Sequence, residues 1–328
     1  MERKLASVKR ITELRPIPGA DLIECAIIGG GWPVVVKRDV HEVGELVCYL
    51  EIDSWCPTTI APFLSKGKEP REFNGVQGER LRTAKFKGVI SQGLVLPLDL
   101  CKFYEEGQDL TEAMGVQKWE VPVNLNLQGQ ARGNFPSFLR KTDQERIQNL
   151  NGMICWDDEY EITTKLDGSS MTLWFWNGER GVCSRNIDLK LDQEGNAFVD
   201  MAMKIHGSMN WPQGIAIQGE LIGPKIQGNR ENLTSHEFFV FDIFDIEKQE
   251  YFTPSHRAAF CEDYGLAHVP VLATGMLSDW NITSIETALI AAEGKSLNHP
   301  VREGIVCKRM DGTFSFKVIA NSFLLAEK

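Results

Sequence analysis

The sequence lacks several features that would place the protein in a familiar class. No apolar run approaches the roughly 18 residues that a membrane-spanning helix needs, and the opening MERK lacks the apolar core of a signal peptide. The eight cysteines form no Cys-x-x-Cys pair, so neither a zinc site nor a disulfide framework is indicated. We therefore expect a globular protein of the cytoplasm, or of the nucleus in a eukaryote, with no membrane partner and with reduced cysteines in its core.

The chain also lacks the positive net charge that is typical of proteins that bind nucleic acid over their whole surface, since its formal charge is −10. One segment, residues 66–87, has the opposite balance, with seven basic residues against three acidic ones. A local basic surface in an acidic protein favours a restricted nucleic-acid contact. The predicted nucleic-acid patch consists of Lys66, Lys68, Arg71, Arg80, Arg82, Lys85 and Lys87.

A length of 328 residues is enough for two domains with separate cores. Residues 1–110 contain short β-favouring runs at 25–28, 34–36, 46–50 and 93–96, which predict a small barrel or sandwich. Residues 111–140 are rich in polar and turn residues, notably at 124–130, and predict a connector. From 141 to 328 we expect a helix near 143–150, a strand at 160–164 and two strands, 171–176 and 181–184, in a hairpin through Asn177-Gly178.

The segment Lys165-Leu166-Asp167-Gly168 predicts covalent chemistry. A lysine amine can attack the α-phosphate of ATP and retain the AMP as a phosphoramidate. A free lysine has a pKa near 10.4 and is mostly protonated at neutral pH, so something must lower that pKa. A metal ion is the usual agent in a phosphate site. Alone, however, this tetrapeptide occurs by chance in many surface turns.

Five further segments follow in an order that strengthens the hypothesis. Together with the Lys165 turn they resemble motifs I, Ia, III, IIIa, IV and V of the covalent nucleotidyl transferase superfamily, which contains DNA ligases, RNA ligases and mRNA capping enzymes. The segments are Ser184-Arg185-Asn186, Gly219-Glu220-Leu221-Ile222-Gly223, Phe238-Phe239-Val240-Phe241-Asp242-Ile243, Glu303-Gly304-Ile305-Val306 and Phe316-Lys317-Val318.

The resemblance assigns a role to each candidate residue. Lys165 is the nucleophile, Asp167 positions the lysine and metal-bound water, and Lys317 completes the catalytic set. ATP is bound by Thr164, Lys165, Arg185, Glu220, Phe238, Lys308 and Lys317. Phe238 stacks on the adenine, although Phe241 is an alternative. Mn²⁺ or Mg²⁺ is held largely through water by Asp167, Glu220 and Glu303, since hard oxygen ligands suit these ions.

Two departures from the family pattern bear on the choice of branch. Nick-sealing RNA ligases usually have a Lys-x-Lys pair in motif V, whereas this chain has Lys317 alone, and Lys308 is a candidate for the second phosphate contact. Many DNA ligases have an arginine two residues beyond the glycine of motif I, where this chain has Ser170. The serine favours the RNA ligase branch.

The order of the domains favours the same branch. Segments 17–24 and 87–94 resemble the tRNA-binding type of oligonucleotide-binding barrel, and only eleven residues follow Lys317, so the barrel precedes the catalytic domain. This order is similar to that of the Deinococcus and Naegleria type of ATP-dependent RNA ligase. It implies an α+β fold, in which an N-terminal all-β barrel (1–110) and a connector (111–140) precede a nucleotidyl transferase domain (141–328) of antiparallel sheets flanked by helices.

The implied activity is the sealing of 3′-OH/5′-phosphate nicks through a lysyl-AMP intermediate. The expected partner is a nicked duplex RNA or RNA/DNA hybrid with RNA on the 3′-OH side, and the protein is expected to be a monomer. The alternatives are a DNA ligase or a capping-type guanylyltransferase on the same fold, or a non-catalytic RNA-binding protein.

Overall fold

The computed structural model describes residues 3–99, 101–120 and 129–327. The chain divides into two compact units, each assembled from more than one segment. The first unit comprises Met1–Pro122, Gln148–Ile154 and Leu324–Lys328, and the second comprises Val123–Ile147 and Cys155–Phe323. The domain boundaries expected near residues 110 and 140 stay predictions, and the polar stretch 124–128 lies outside the described residues.

The first unit is built from short antiparallel strands, as the alternation of apolar runs and turn residues predicts. In its described residues one sheet has the order β10-β4-β1-β2-β3, a second has the order β11-β5-β7-β6, and β8 pairs with β9. The strands are β1 (Ala6–Pro16), β2 (Ile23–Ile28), β3 (Trp32–Lys37), β4 (Leu46–Leu50), β5 (Ser54–Pro57), β6 (Arg71–Phe73), β7 (Val76–Arg80), β8 (Ala84–Phe86), β9 (Val89–Ser91), β10 (Leu94–Leu96) and β11 (Gln117–Lys118). A 3₁₀ helix spans Pro62–Ser65.

The core of the first unit forms where β1 and β4 pair. Val8 lies opposite Cys48, and β10 pairs with β4 on its other edge, so that Leu94 lies opposite Leu50. These side chains pack with Leu5 and Leu110 in one buried cluster. The four strands predicted in residues 25–96 are therefore confirmed, with ends that differ by one or two residues.

The second unit contains two sheets. In its described residues one has the order β12-β17-β16-β15-β18-β19-β20 and the other β13-β23-β22-β14-β21. Pairing is antiparallel except between β13 and β23. The strands are β12 (Ala131–Asn134), β13 (Glu145–Arg146), β14 (Glu159–Lys165), β15 (Ser169–Trp176), β16 (Glu179–Cys183), β17 (Ile187–Leu189), β18 (Ile215–Ile222), β19 (Glu237–Asp245), β20 (Glu250–Tyr251), β21 (Val271–Met276), β22 (Gly304–Arg309) and β23 (Ser315–Ile319).

Helices cover one face of the larger sheet. The described helices are α1 (Ala197–Ser208), α2 (Pro254–Asp263), α3 (Ile285–Ala292) and α4 (Asn321–Ala326). Helix α1 begins at Asn196, whose side chain accepts hydrogen bonds from the Phe198 and Val199 amides. Its buried face packs with α2 side chains on β15, β18 and β19 in the main core. Antiparallel sheets with flanking helices confirm the α+β prediction.

Two local predictions have different outcomes. The hairpin at Asn177-Gly178 is confirmed, since both residues have positive φ (51° and 77°) and join β15 to β16. The helix expected at 143–150 is wrong. That segment forms the short strand β13 and a 3₁₀ helix at Ile147–Leu150, because Glu145 and Arg146 pair with β23 instead of making a helical turn.

The cysteines are all free thiols, and six are buried. Cys101 and Cys155 are exposed, so the prediction that every cysteine lies in a core is wrong for these two. Cys101 lies in a turn and Cys155 in a loop, outside the described strands and helices. None of the described helices is both long and apolar enough to cross a membrane.

Candidate active site

The Lys165 turn carries the chain from one sheet of the second unit to the other. Lys165 is the last residue of β14 in one sheet, and Ser169 is the first residue of β15 in the other. Between them Leu166 is 2% exposed and packs against Ile222 and Val269. This apolar contact anchors the turn, so that the polar side chains on either side of Leu166 have defined positions.

Gly168 is required by the close approach of the turn to β18. A Cβ atom at this position would lie 2.5 Å from the carbonyl oxygen of Leu221 and 2.5 Å from a methyl carbon of Ile222. The Gly168 amide also donates a hydrogen bond of 3.0 Å to Oε1 of Glu220. The glycine of the Lys-x-Asp-Gly segment therefore allows the nucleophile turn to contact the strand that carries Glu220.

The Lys165 amine is held by Glu303. Its Nζ lies 2.7 Å from Glu303 Oε2, because Lys165 pairs with Gly304 at the start of β22. Gly304 has no room for a side chain, since a Cβ would lie 2.1 Å from the carbonyl oxygen of Val318 on β23. Burial lowers the pKa of Lys165, but the carboxylates of Glu303, Glu220 and Asp167 together hold it above its usual value. The protein's own groups therefore keep the amine protonated.

Glu220 lies beside this pair, and its own pKa is raised. Burial raises the pKa of the Glu220 carboxyl to about 8, while the Lys165 charge acts in the opposite direction and Glu303 adds to the rise. A carboxyl group that keeps its proton can donate a hydrogen bond as well as accept one. Glu220 therefore holds a proton more tightly than an exposed glutamate does.

Asp167 is linked to a residue that sequence reasoning did not single out. Arg230 Nε lies 3.6 Å from Asp167 Oδ2, and the guanidinium stacks on Phe323 at 4.7 Å. Arg230 also donates to the carbonyl oxygen of Val301 at 3.2 Å, two residues before Glu303. It therefore connects Asp167 with the segment that leads to Glu303.

Lys317 and Arg185 converge on a second residue that was missed, Asp143. Lys317 Nζ lies 3.0 Å from Asp143 Oδ1, and the Arg185 guanidinium lies 3.1 Å from Oδ2. Burial lowers the pKa of Lys317 to about 8, against the charge of Asp143. Arg185 lies in the bend between β16 and β17. The structure thus brings together two residues expected to bind phosphate.

The aromatic residues of β19 lie on two faces. Phe238 is 6% exposed and packs in the main core with residues of α1 and α2. Phe239 pairs with Glu220, so these two side chains share a face. Phe241 packs with Phe239 in the cluster that contains Leu166. The structure therefore corrects the prediction that Phe238 stacks on adenine, since Phe239 and Phe241 lie on the Glu220 side.

Thr164 and Lys308 do not reach the Lys165 amine. The Thr164 side chain is buried and, by strand alternation, lies on the face opposite to Lys165. Lys308 pairs with Glu161, four residues and about 13 Å along β14 from Lys165. The Thr164 side chain therefore faces away from the Lys165 amine, and Lys308 lies far from it along β14, while the assignment of both residues to nucleotide binding stays a prediction.

Lys308 belongs instead to a buried ionic network. Its Nζ lies 2.5 Å from Asp242 Oδ1, and Arg257 pairs with both Glu161 and Asp242. Burial lowers the pKa of Lys308 to about 8, while Asp242 acts in the opposite direction. Each charge in this network has an opposite partner, as buried charges require.

The carboxylates near Lys165 fit a divalent cation that keeps most of its water. Asp167, Glu220 and Glu303 offer hard oxygen donors of the kind that Mn²⁺ and Mg²⁺ accept. Within the described residues, however, no group of three or more acidic, histidine or cysteine side chains is arranged to hold a metal ion directly. The donor set therefore suits coordination through water.

The predicted nucleic-acid patch keeps six of its seven members on the surface of the first unit. Arg80 is the exception. Its side chain is 6% exposed, pairs with Asp53 at 2.5 Å and Glu327 at 3.0 Å, and stacks on Trp119 at 3.9 Å. Arg80 thus stabilises the unit internally, which corrects its inclusion in the patch. The exposed members are Lys66, Lys68, Arg71, Arg82, Lys85 and Lys87.

Comparisons with known proteins cover both units. A family model described as RNA ligase matches residues 158–319, and an OB-fold domain model matches residues 5–98. The second match agrees with the antiparallel strands of the first unit and confirms the predicted oligonucleotide-binding barrel. A search of curated proteins found no match.

Solved structures of Naegleria gruberi RNA ligase are similar to the whole chain. A variant with ATP and Mn has 40% sequence identity and a TM-score of 0.88, and the match covers 98% of each chain. A variant with AMP and Mn has 39% identity and a TM-score of 0.89, again over 98% of each chain. The same ligase with PPi has 39% identity and a TM-score of 0.87 over 98% of each chain.

Proposed function

The chain belongs to the RNA ligase family, and from that premise we propose that it is an ATP-dependent ligase that forms a lysyl-AMP intermediate on Lys165. We propose further that it seals 3′-OH/5′-phosphate nicks in duplexes with RNA on the 3′-OH side. The observation that carries the proposal is the Lys165 amine, which is fixed 2.7 Å from Glu303 at the junction of two sheets. Its neighbours Glu220 and Asp167 complete a site with ordered donors and acceptors.

The first step is the transfer of AMP to the protein. Lys165 gives up a proton, its Nζ lone pair attacks the α-phosphorus of ATP, the P–N bond forms, and the bond to the β-phosphate breaks so that pyrophosphate leaves. Because the protein's own carboxylates hold the pKa of Lys165 above its usual value, the proton has to be released as the nucleotide binds. A bound Mn²⁺ or Mg²⁺ supplies positive charge that offsets those carboxylates and the phosphates.

The surrounding side chains bind and orient the nucleotide. The Glu220 carboxyl would hydrogen-bond a ribose hydroxyl, and Asp167 and Glu303 would hold the cation through its water ligands. Phe239 or Phe241 offers an aromatic face for the adenine. Lys317 and Arg185 supply positive charge to phosphate oxygens.

The remaining steps join two nucleic-acid ends. AMP passes from Lys165 to the 5′-phosphate of the nick, and the 3′-hydroxyl then attacks that phosphorus and releases AMP. The 2′-hydroxyl distinguishes an RNA 3′ end from a DNA one. The partner is a nicked duplex RNA or RNA/DNA hybrid that contacts the exposed residues of the nucleic-acid patch. We propose that the protein acts as a monomer in the cytoplasm or the nucleus.

Label transfer tests the first step. Incubation with α-labelled ATP and Mn²⁺ should label the wild-type protein, and Lys165→Ala should abolish the label. Lys248→Ala is the matched control, because Lys248 lies in the same unit with a side chain that is 72% exposed and pairs with Asp245, three residues away. Labelling of Lys165→Ala, or labelling by GTP and not by ATP, would contradict the proposal.

Nick sealing tests the substrate. Duplexes that differ only in the sugar of the 3′-terminal nucleotide should be sealed faster when that sugar is ribose. Equal rates with ribose and deoxyribose would refute the preference for RNA and leave the adenylylation step untouched.

A further inference from the structure

Asp143 bridges the two basic side chains that the proposed function assigns to phosphate. One carboxylate oxygen lies 3.0 Å from Lys317 Nζ and the other lies 3.1 Å from the Arg185 guanidinium. A phosphate presents the same kind of paired anionic oxygens to lysine and arginine. We propose that Asp143 occupies a phosphate-binding position in the ligand-free protein and that a phosphate group of the substrate displaces it.

The bridge is suited to exchange. The Asp143 side chain is 47% exposed and that of Arg185 is 54% exposed. An ion pair between groups this exposed is screened by water and contributes little to stability, so the contact with Arg185 breaks at little cost, whereas the Lys317 side chain, which is 18% exposed, still requires an anion beside it. The Asp143 side chain also has space to rotate, because it lines a cavity of about 160 Å³ together with Lys141, Lys308 and Ser315.

The bridge also has a purpose before the substrate binds. Burial lowers the pKa of Lys317 to about 8, and Asp143 acts against this effect. A nearby anion therefore helps Lys317 to keep its proton. An incoming phosphate takes over that role when it replaces the carboxylate, so the two cations never face each other without an anion between them.

The identity of the ligand rests on the proposed function. The shared chemistry is a phosphate group, which comes either from the tail of ATP or from the 5′ end of the nicked strand. In both cases Asp143 competes with the ligand, and removal of its charge strengthens binding. A carboxylate that only organised the two cations would have the opposite effect, since its loss would weaken binding.

The test compares Asp143→Asn with the wild type in the full chain by titration calorimetry at pH 6.5, which is below the pKa of about 8 of Lys317 in the wild type. The ligands are inorganic pyrophosphate, a nicked duplex with a 5′-phosphate and the same duplex with a 5′-hydroxyl. We expect about three- to tenfold tighter binding, which corresponds to partial relief of like-charge repulsion. Tightening for pyrophosphate identifies the ATP tail as the source, and tightening for the 5′-phosphate duplex alone identifies the nucleic-acid end.

Two controls separate this effect from a change in net charge or fold. Glu179→Gln removes a carboxylate that pairs with Arg132 at 2.6 Å on the same unit and is 63% exposed, and it should leave both affinities unchanged. Asp143→Glu keeps the charge and should stay within about twofold of the wild type. The proposal would be overturned if Asp143→Asn bound both pyrophosphate and the 5′-phosphate duplex no more tightly than the wild type. Equal tightening by Glu179→Gln would overturn it as well. A failure of wild-type label transfer would refute the proposed function instead. The pyrophosphate comparison would still decide the role of Asp143.

Discussion

Gly168→Ala should disable the Lys165 turn without unfolding the protein. The added Cβ would lie 2.5 Å from the Leu221 carbonyl oxygen, whereas ordinary contacts begin at 3.4 Å, so the turn has to move by 0.9 Å. The carbonyl cannot yield easily because β18 is paired on both sides, with β15 and β19. A displacement of about 1 Å in a catalytic group can cost about 10²-fold in rate. We therefore expect lysyl-AMP formation to slow by about two orders of magnitude.

Single-turnover label transfer from saturating α-labelled ATP measures this rate, and thermal unfolding measures the accompanying loss of stability. Gly207→Ala is the control, since this glycine lies in α1 with open space around its Cβ position, and alanine there favours the helix. A Gly168→Ala rate within about threefold of the wild type would refute the argument, because it would show that the turn tolerates the shift.

Three further predictions test other parts of the second unit. Phe239→Leu or Phe241→Leu should raise the KM for ATP by about 2- to 10-fold, whereas Phe238→Leu should leave that KM unchanged and lower the melting temperature; the reverse pattern would restore Phe238 as the stacking residue. Arg257→Met should destabilise the unit by about 3–5 kcal/mol, or roughly 6–20 °C in Tm, because it removes the partner of the buried Glu161, while Lys248→Met, at an exposed position, should leave the Tm unchanged. Burial raises the pKa of Glu220 to about 8, whereas the ordinary pKa of a glutamate is about 4.3. At a pH between these two values, the folded protein holds a proton on Glu220 that the unfolded chain releases. The contribution of Glu220 to stability therefore falls as pH rises from about 5 to 8. Thermal melts of Glu220→Gln should show a shallower decline than those of the wild type or of the exposed Glu247→Gln control, and an equal decline would contradict the shift.

The sequence predicted the order of elements around Lys165 because three of the six motifs combine a strand with a glycine that a neighbouring strand requires. Gly168 and Gly304 illustrate this, since their Cβ positions are filled by the backbone of β18 and β23. The hairpin at Asn177 was equally predictable, because its turn chemistry is local.

What the sequence could not predict depends on pairing over long distances. Phe238, Phe239 and Phe241 form a continuous apolar run, and only the register of β19 against β18 shows which side chain shares a face with Glu220. Arg80 is a basic residue in the basic segment 66–87, but its ion pairs with Asp53 and Glu327 keep its side chain buried in the first unit. Asp143 was missed for the same reason, because its two partners lie 42 and 174 positions further along the chain.

The position of the Lys165 turn between two sheets has a mechanical consequence. The last backbone pairing of β14 and the first of β15 are separated by three residues, Leu166 to Gly168, so this turn is a short covalent link between the two sheets. A nucleotide joined to Lys165 on one sheet and in contact with Glu220 on the other acts as a second tie across the same gap. Amide hydrogens on both strands should then exchange more slowly together, and the protection should disappear together when the AMP leaves.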